Sequence, residues 1–249
     1  MGHPSFAGFR RELTRVLGAR AVDDLVRDFT TRPVVLLGGD QATGKTTAAL
    51  ALARALDGPA GSAGAIVRGE AVALGISFET MHARLRDDPD RDVRHDHLAA
   101  DAIAAGRIAV FEGRLAGHLG AWLRSLGRVG LVSVYLHCPA RERALRWLAR
   151  ATSAEVRRDV EARIEVPVDA AFEVTIAALT ALDDPRVAAL AEAMAQAATR
   201  DREDRARLAQ LYGFDYADTS VFDAVFDTSS TEPPETARRI LDLVRSRAA

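Results

Sequence analysis

Residues 39–46 read Gly39-Asp40-Gln41-Ala42-Thr43-Gly44-Lys45-Thr46, which satisfies the pattern G-x-x-x-x-G-K-[ST] of a phosphate-binding loop. Such a loop needs a buried strand before it and a helix behind it, and the flanks supply both. Pro33 to Leu37 is a continuous apolar run suited to a buried parallel strand, and Thr46 to Ala53 is rich in helix formers. The residue types fit the chemistry. Gly38, Gly39 and Gly44 allow backbone conformations that turn successive N–H groups inward around a phosphate, and the helix start adds partial positive charge. Lys45 can then reach the β- and γ-phosphates while the Thr46 hydroxyl ligates Mg²⁺, with Thr47 beside it. Asp40 is the discordant residue. A carboxylate at the lip of an anion cradle is unfavourable, so it is expected to face solvent or a metal-bound water.

A strand–loop–helix unit of this kind begins an α/β domain, and 249 residues suffice for one such domain with additions. The formal net charge of −2 supplies no basic surface, so neither a nucleic acid nor a membrane is expected as partner. The single cysteine, Cys138, excludes an intramolecular disulfide. The first ten residues lack the apolar core of a signal peptide, and no apolar run approaches the roughly 20 residues of a membrane span. A cytoplasmic protein is the expectation.

Ahead of the loop, Phe6, Phe9, Leu13, Val16 and Leu17, then Val22, Leu25, Val26 and Phe29, recur at three- and four-residue spacing. This predicts one broken or two short amphipathic helices packed on the main domain. Asp23, Asp24 and Asp28 disfavour a membrane-surface helix here. Beyond a breaker-rich connection at 57–64, Ala65-Ile66-Val67 reads as a short strand running into Arg68-Gly69-Glu70, and residues 71–86 carry a helical pattern. Asp87-Asp88-Pro89-Asp90 is a turn. His95 and His97 are two apart on the next helix and do not share a face, so they suggest no metal site.

Ile108 to Phe111 is a second core strand that ends in Glu112-Gly113-Arg114. Ligands of doubly wound sheets gather beyond the carboxyl ends of the strands, so Glu112 and Arg114 should project toward the loop. Glu112 could hold a water on Mg²⁺ and Arg114 a substrate phosphate; a Glu112–Arg114 pair stabilising a turn is the plainer alternative. Val129 to Leu136 is a third strand. The helix after it carries Arg143, Arg146 and Arg150 as a stripe along one face, which an anionic ligand would relieve of like-charge repulsion. About three helices are expected over 152–198, then a separate charged helix from Arg200 to Leu211, a strand at Ala224 to Phe226 and a closing helix over 235–245. Together these predict a five-stranded parallel sheet with helices on both faces, a three-layer α/β/α arrangement.

The combination of G-x-x-x-x-G-K-T-T, Gly69-Glu70, the stretch G-R-I-A-V-F-E-G-R-L-A-G at 106–117, R-D-x-x-D-x-x-R at 200–207 and Y-G-F-D-Y-A-D-T-S-V-F-D-A-V-F-D-T-S at 212–229 resembles the cytidylate kinases, in their short archaeal-type branch. The resemblance covers residues 33–150 and 199–245. It implies a P-loop kinase core at 32–150 and 199–249 with a helical lid insertion at 151–198 and an N-terminal helical extension at 1–31. It also implies transfer of the ATP γ-phosphate to a nucleoside monophosphate, CMP or dCMP. Under it, Gly39 to Thr47 hold ATP and Mg²⁺, with Thr46 and Glu112 on the metal. Asp227 to Ser230, including Ser229 and Ser230, lie near the adenine. Arg68, Gly69, Glu70, Gly113 and Arg114 contact the acceptor. Lys45, Arg114, Arg146, Arg150, Arg200 and Arg207 act on the transferring phosphoryl group, with Arg143 a further lid candidate. The additions offer a surface for a homodimer.

Three departures stand out. The family's flap continues past Gly-Glu to Phe-Arg, whereas Glu70 is followed by Ala71-Val72-Ala73-Leu74, leaving Arg68 as the substitute arginine. The lid insertion of about 40 residues and the N-terminal extension are the other two. They keep two rivals open: a kinase for a modified nucleotide or another metabolite, and a nucleotide-binding interaction protein that transfers nothing.

Overall fold

The computed structural model describes residues 5–167 and 169–248. Residues 1–4, which belong to the stretch read for a signal peptide, and residues 168 and 249 lie outside it. Helices α1 (Ser5–Leu17) and α2 (Ala21–Arg27) precede strand β1 (Val34–Gly39), and the loop leads directly into α3 (Lys45–Ala55). Strand β2 (Ala60–Ser62) is followed by α4 (Ala63–Ala73), α5 (Phe78–Asp87) and α6 (Asp90–Ala104). Then come β3 (Val110–Glu112), α7 (Ala116–Ser125), β4 (Leu131–His137) and α8 (Ala140–Ala151). Helices α9 (Ala154–Arg163), α10 (Phe172–Ala181) and α11 (Pro185–Tyr212) follow, and β5 (Ala224–Asp227) and α12 (Pro233–Ala248) end the chain.

The sheet order is β2-β3-β1-β4-β5 with every pairing parallel, so β1 is central and fully buried. The period of two along β1 divides the core. Val34 and Leu36 face a cluster built with Phe9, Leu13, Ile103, Leu119 and Trp122, while Val35 and Leu37 face one built with Leu52, Val134, Leu136 and Ile240. This is the expected α/β/α arrangement with a five-stranded parallel sheet, and it leaves the carboxyl ends of β1, β3 and β4 open on one edge.

The short strand expected at Ala65-Ile66-Val67 is instead helix, and the strand lies just before it at Ala60–Ser62. The reason is local. Residues 60–62 pair with β3 in register, and the Ser62 hydroxyl accepts from the Ala65 amide (2.9 Å), capping α4 at the point where the strand stops. The helical pattern over 71–86 divides at Gly75, whose φ of +65° ends α4, and α5 restarts under a Ser77 cap. The separate charged helix expected at 200–211 does not exist: α11 runs unbroken for 28 residues. Asp184 and Pro185 start it and Gly213, at φ +79°, stops it, with no breaker between. Its first half packs in a distinct cluster with α8, α9 and α10, around Leu148, Val160, Leu179 and Met194. Its last turns join the main core through Leu208 and Tyr212.

Candidate active site

The backbone between β1 and α3 turns through three left-handed residues. Gly39 has φ +137°, and a Cβ there would lie 2.4 Å from the Leu136 carbonyl oxygen; Gly44 has φ +93° at the helix cap. Ala42 takes φ +62° without glycine's freedom, a strain that the surrounding bonds must hold. The Thr43 hydroxyl donates to the Asp40 carbonyl (2.9 Å) and the Thr228 hydroxyl to the Thr43 carbonyl (3.0 Å). Lys45 Nζ donates to the Gly39 carbonyl (2.7 Å) and to the Asp40 carbonyl, so the ammonium lies across the loop mouth on two dipoles that a phosphate would replace with full charge. Burial pushes that ammonium down to about 8, against the pull of Glu112 and Asp40.

Glu112, at the end of β3, accepts from the Thr46 hydroxyl (2.8 Å). A hydroxyl and a carboxylate side by side at the loop are hard oxygen donors of the kind Mg²⁺ takes. Asp40 is half-exposed as expected, but its carboxylate is turned toward Arg143 (3.4 Å), with the Tyr135 hydroxyl donating at 3.5 Å. Arg143 is nearly buried and its guanidinium stacks over Phe172 of α10 at 4.5 Å. It lines neither of the two cavities described next, so it serves Asp40.

One cavity of about 400 Å³ lies between the loop, α4, α5, α6, the end of β3 and α11. Lys45, Thr46, Arg68, Glu112, Gly113, Arg114, Arg200 and Arg207 line it. Arg114 is held by Asp201 and Asp204, and Arg207 by Asp92 (2.6 Å) and Asp204 (2.9 Å). Arg200 makes no ion pair among the described residues, and Arg68 lies 6.0 Å over the Phe78 ring. Burial, with Arg114, Arg200 and Arg207 adding to it, drives the His82 imidazole in this wall down to about 4. Further in, Asp96 accepts from the Tyr212 hydroxyl (2.6 Å), and burial beside Asp92 raises its carboxyl to about 7.

A second cavity, also about 400 Å³, opens on the opposite side of the loop against Gly44, Thr47, Arg146, Arg150, Ser229 and Ser230. Arg146 is anchored there on the Thr228 hydroxyl (3.2 Å), the Thr228 carbonyl and the Ala42 carbonyl (3.4 Å). The residues expected to meet at one site therefore divide in two. The loop stands between an arginine-rich cavity with Arg68, Arg114, Arg200 and Arg207 and a smaller-residue cavity with Arg146 and Arg150. Gly69 and Glu70, named as acceptor contacts, stand apart from both; Glu70 is instead taken by Arg91 and His95 of α6. Helix α4 turns those positions toward α6, where a strand would have sent alternate residues to the cavity.

His82, Asp92, Asp96, Asp201, Asp204 and Tyr216 also line the first cavity and were missed. The signal for two of them was present. Asp201 and Asp204 belong to the R-D-x-x-D-x-x-R run, but a carboxylate in an arginine helix reads as a solvent-side ion pair until the helix is known to face a cavity.

Comparison with known proteins adds four findings. A family model described as AAA domain matches residues 35–165. The chain is 29% identical over 209 residues to the cytidylate kinase of Pyrobaculum aerophilum, covering 84% of this chain and 91% of that one. It is 28% identical over 211 residues to the cytidylate kinase of Ignicoccus hospitalis, covering 84% and 98%. A crystal structure of an uncharacterized protein from Eubacterium ventriosum superposes over 87% of this chain and 99% of its own, with a TM-score of 0.50 and 14% identity, a likeness of fold.

Proposed function

The chain belongs to the AAA domain family, and from that premise we propose that it is an ATP-dependent phosphotransferase of the nucleoside monophosphate kinase type, acting on CMP or dCMP. The observation that carries this reading is the position of the loop between two cavities. Lys45 stands at the divide, and Arg68, Arg114 and Arg200 line the far side. A donor nucleotide with its adenine against Ser229 and Ser230 would present its γ-phosphate to that far side, where the guanidiniums await a second phosphate. The likeness to proteins named cytidylate kinases supports the choice of base.

In the reaction, an oxygen of the acceptor's phosphate forms a bond to the γ-phosphorus as the bond to the β,γ-bridging oxygen breaks and ADP leaves in line. The chain supplies position and charge. Arg114 holds the acceptor phosphate, Lys45 the β- and γ-oxygens, and Arg200, which has no ion pair among the described residues, meets the charge that develops between them. Mg²⁺ held by Thr46 and Glu112 would neutralise part of the phosphate charge. Arg68 takes the place of the flap arginine absent after Glu70. Asp40, neutralised by Arg143, does not oppose the donor's charge.

The test is a panel of nucleoside monophosphates offered with ATP and Mg²⁺, product read by chromatography. Turnover of CMP and dCMP well above AMP, GMP and UMP is expected. Turnover confined to another acceptor removes the cytidylate assignment. ATP binding with no turnover of any acceptor removes the kinase reading.

A further inference from the structure

Arg114 meets two carboxylates in the first cavity, and they are not equivalent. Asp204 is buried and shares its charge with Arg207 at 2.9 Å, so it keeps a cationic partner if Arg114 leaves. Asp201 is partly exposed and has no second arginine among the described residues. Its other partner is the side-chain amide of Gln41, which donates to Oδ1 at 3.0 Å from within the phosphate loop. The Tyr216 hydroxyl donates to the Asp201 main-chain carbonyl (3.2 Å), which pins the backbone there and leaves the carboxylate to swing.

An acceptor phosphate needs the guanidinium arm that Asp201 occupies. When the phosphate takes it, the displaced carboxylate is left next to another anion, and such a group is costly unless something donates to it. We propose that Asp201 and Gln41 are positioning residues for the acceptor: Asp201 is the counter-ion that Arg114 surrenders to the acceptor's phosphate, and the Gln41 amide holds the displaced carboxylate. This rests on the nucleoside monophosphate reading given above. Because Gln41 belongs to the loop that wraps the donor phosphates, filling the loop fixes the amide, and acceptor affinity rises with it. Linkage makes the effect reciprocal, so CMP tightens the donor equally.

The experiment is calorimetric titration of CMP into the full chain, with and without a non-hydrolysable ATP analogue and Mg²⁺. It is run on the parent, Gln41→Ala, Asp201→Asn and the double variant. Gln41→Ala is expected to weaken CMP several-fold, up to about tenfold for a lost hydrogen bond to a charged group, and to reduce the enhancement of CMP binding by the analogue. The analogue's affinity is measured with and without CMP for every variant, and the coupling is read as the ratio of the two, so that any change in donor binding by the loop itself cancels. Asp201→Asn should tighten CMP, and adding Gln41→Ala to it should change nothing further. That rescue separates a displaced counter-ion from a merely structural contact. Equal losses from Gln41→Ala in both backgrounds, no loss in either, or weaker CMP binding by Asp201→Asn each overturn the proposal while leaving the kinase reading standing. A parent chain that binds neither CMP nor the other four monophosphates removes both.

Discussion

Lys45 donates to two backbone carbonyls in the loop, and an ammonium so enclosed holds its proton less firmly than one in water. Phosphates arriving at the loop replace those dipoles with charge and raise the proton affinity again. The sign follows. The free form begins to lose the lysine proton near pH 8 while the nucleotide-bound form retains it, so ATP binding takes up protons above that pH and its affinity falls as pH rises past about 8. Titrations in buffers of different ionisation enthalpy measure the uptake directly. In Lys45→Ala the proton uptake disappears and transfer falls at least about a hundredfold, with the circular dichroism spectrum unchanged. A variant that still transfers phosphate at the parent rate ends the mechanism.

At the scale of the element, α6 places Asp92 and Asp96 four residues apart on the face that lines the cavity, with His95 beside them. Asp92 is used by Arg207, whereas Asp96 is enclosed and among the described residues is met by the Tyr212 hydroxyl alone. Its carboxyl titrates near 7 in the folded chain against an ordinary value of 3.8. The folded form therefore binds more protons than the unfolded one between those values, so this residue's contribution falls as pH rises from about 4 to about 7 and is fully unfavourable above that. Asp96→Asn keeps an acceptor for Tyr212 and removes the charge. The expected result is a melting temperature raised by at least ~2 °C at pH 8 and little changed at pH 4. Equal shifts at the two pH values would assign the effect to packing.

Over the whole molecule, the N-terminal helices are built into the main core. Phe9 is fully buried, stacks 5.3 Å from Trp122 of α7 and lies tilted 4.5 Å from the Tyr212 ring of α11, and so joins the N-terminal helices to the helix that carries Arg200 and Arg207. Phe9→Ala should cost about 3 kcal/mol in urea unfolding, the loss of a buried aromatic plus the cavity it leaves. A loss under ~1 kcal/mol would make the extension an accessory. The cluster of α8, α9, α10 and the first half of α11 has its own apolar centre, and α11 is continuous between that centre and the main one.

Much of the frame was legible without coordinates because it depends on neighbours in sequence. The G-x-x-x-x-G-K-[ST] pattern at 39–46, with an apolar run before it and helix formers behind it, is a local signature of the phosphate loop. The position of Glu112 and Arg114 just past a buried strand sends them to the same edge of any parallel sheet. What stayed hidden depends on residues far apart in the chain. Whether Ile66 and Val67 extend or coil was settled by where β3 ends and Ser62 caps. Whether Glu70 faces the cavity or α6 was settled by the rotation of α4 about its axis. The pairings of Arg114 with Asp201 and of Gln41 with that same carboxylate span 87 and 160 residues. Local conformational preference carries no information about such contacts; they follow from the packing of whole helices against one another, which only the folded chain decides.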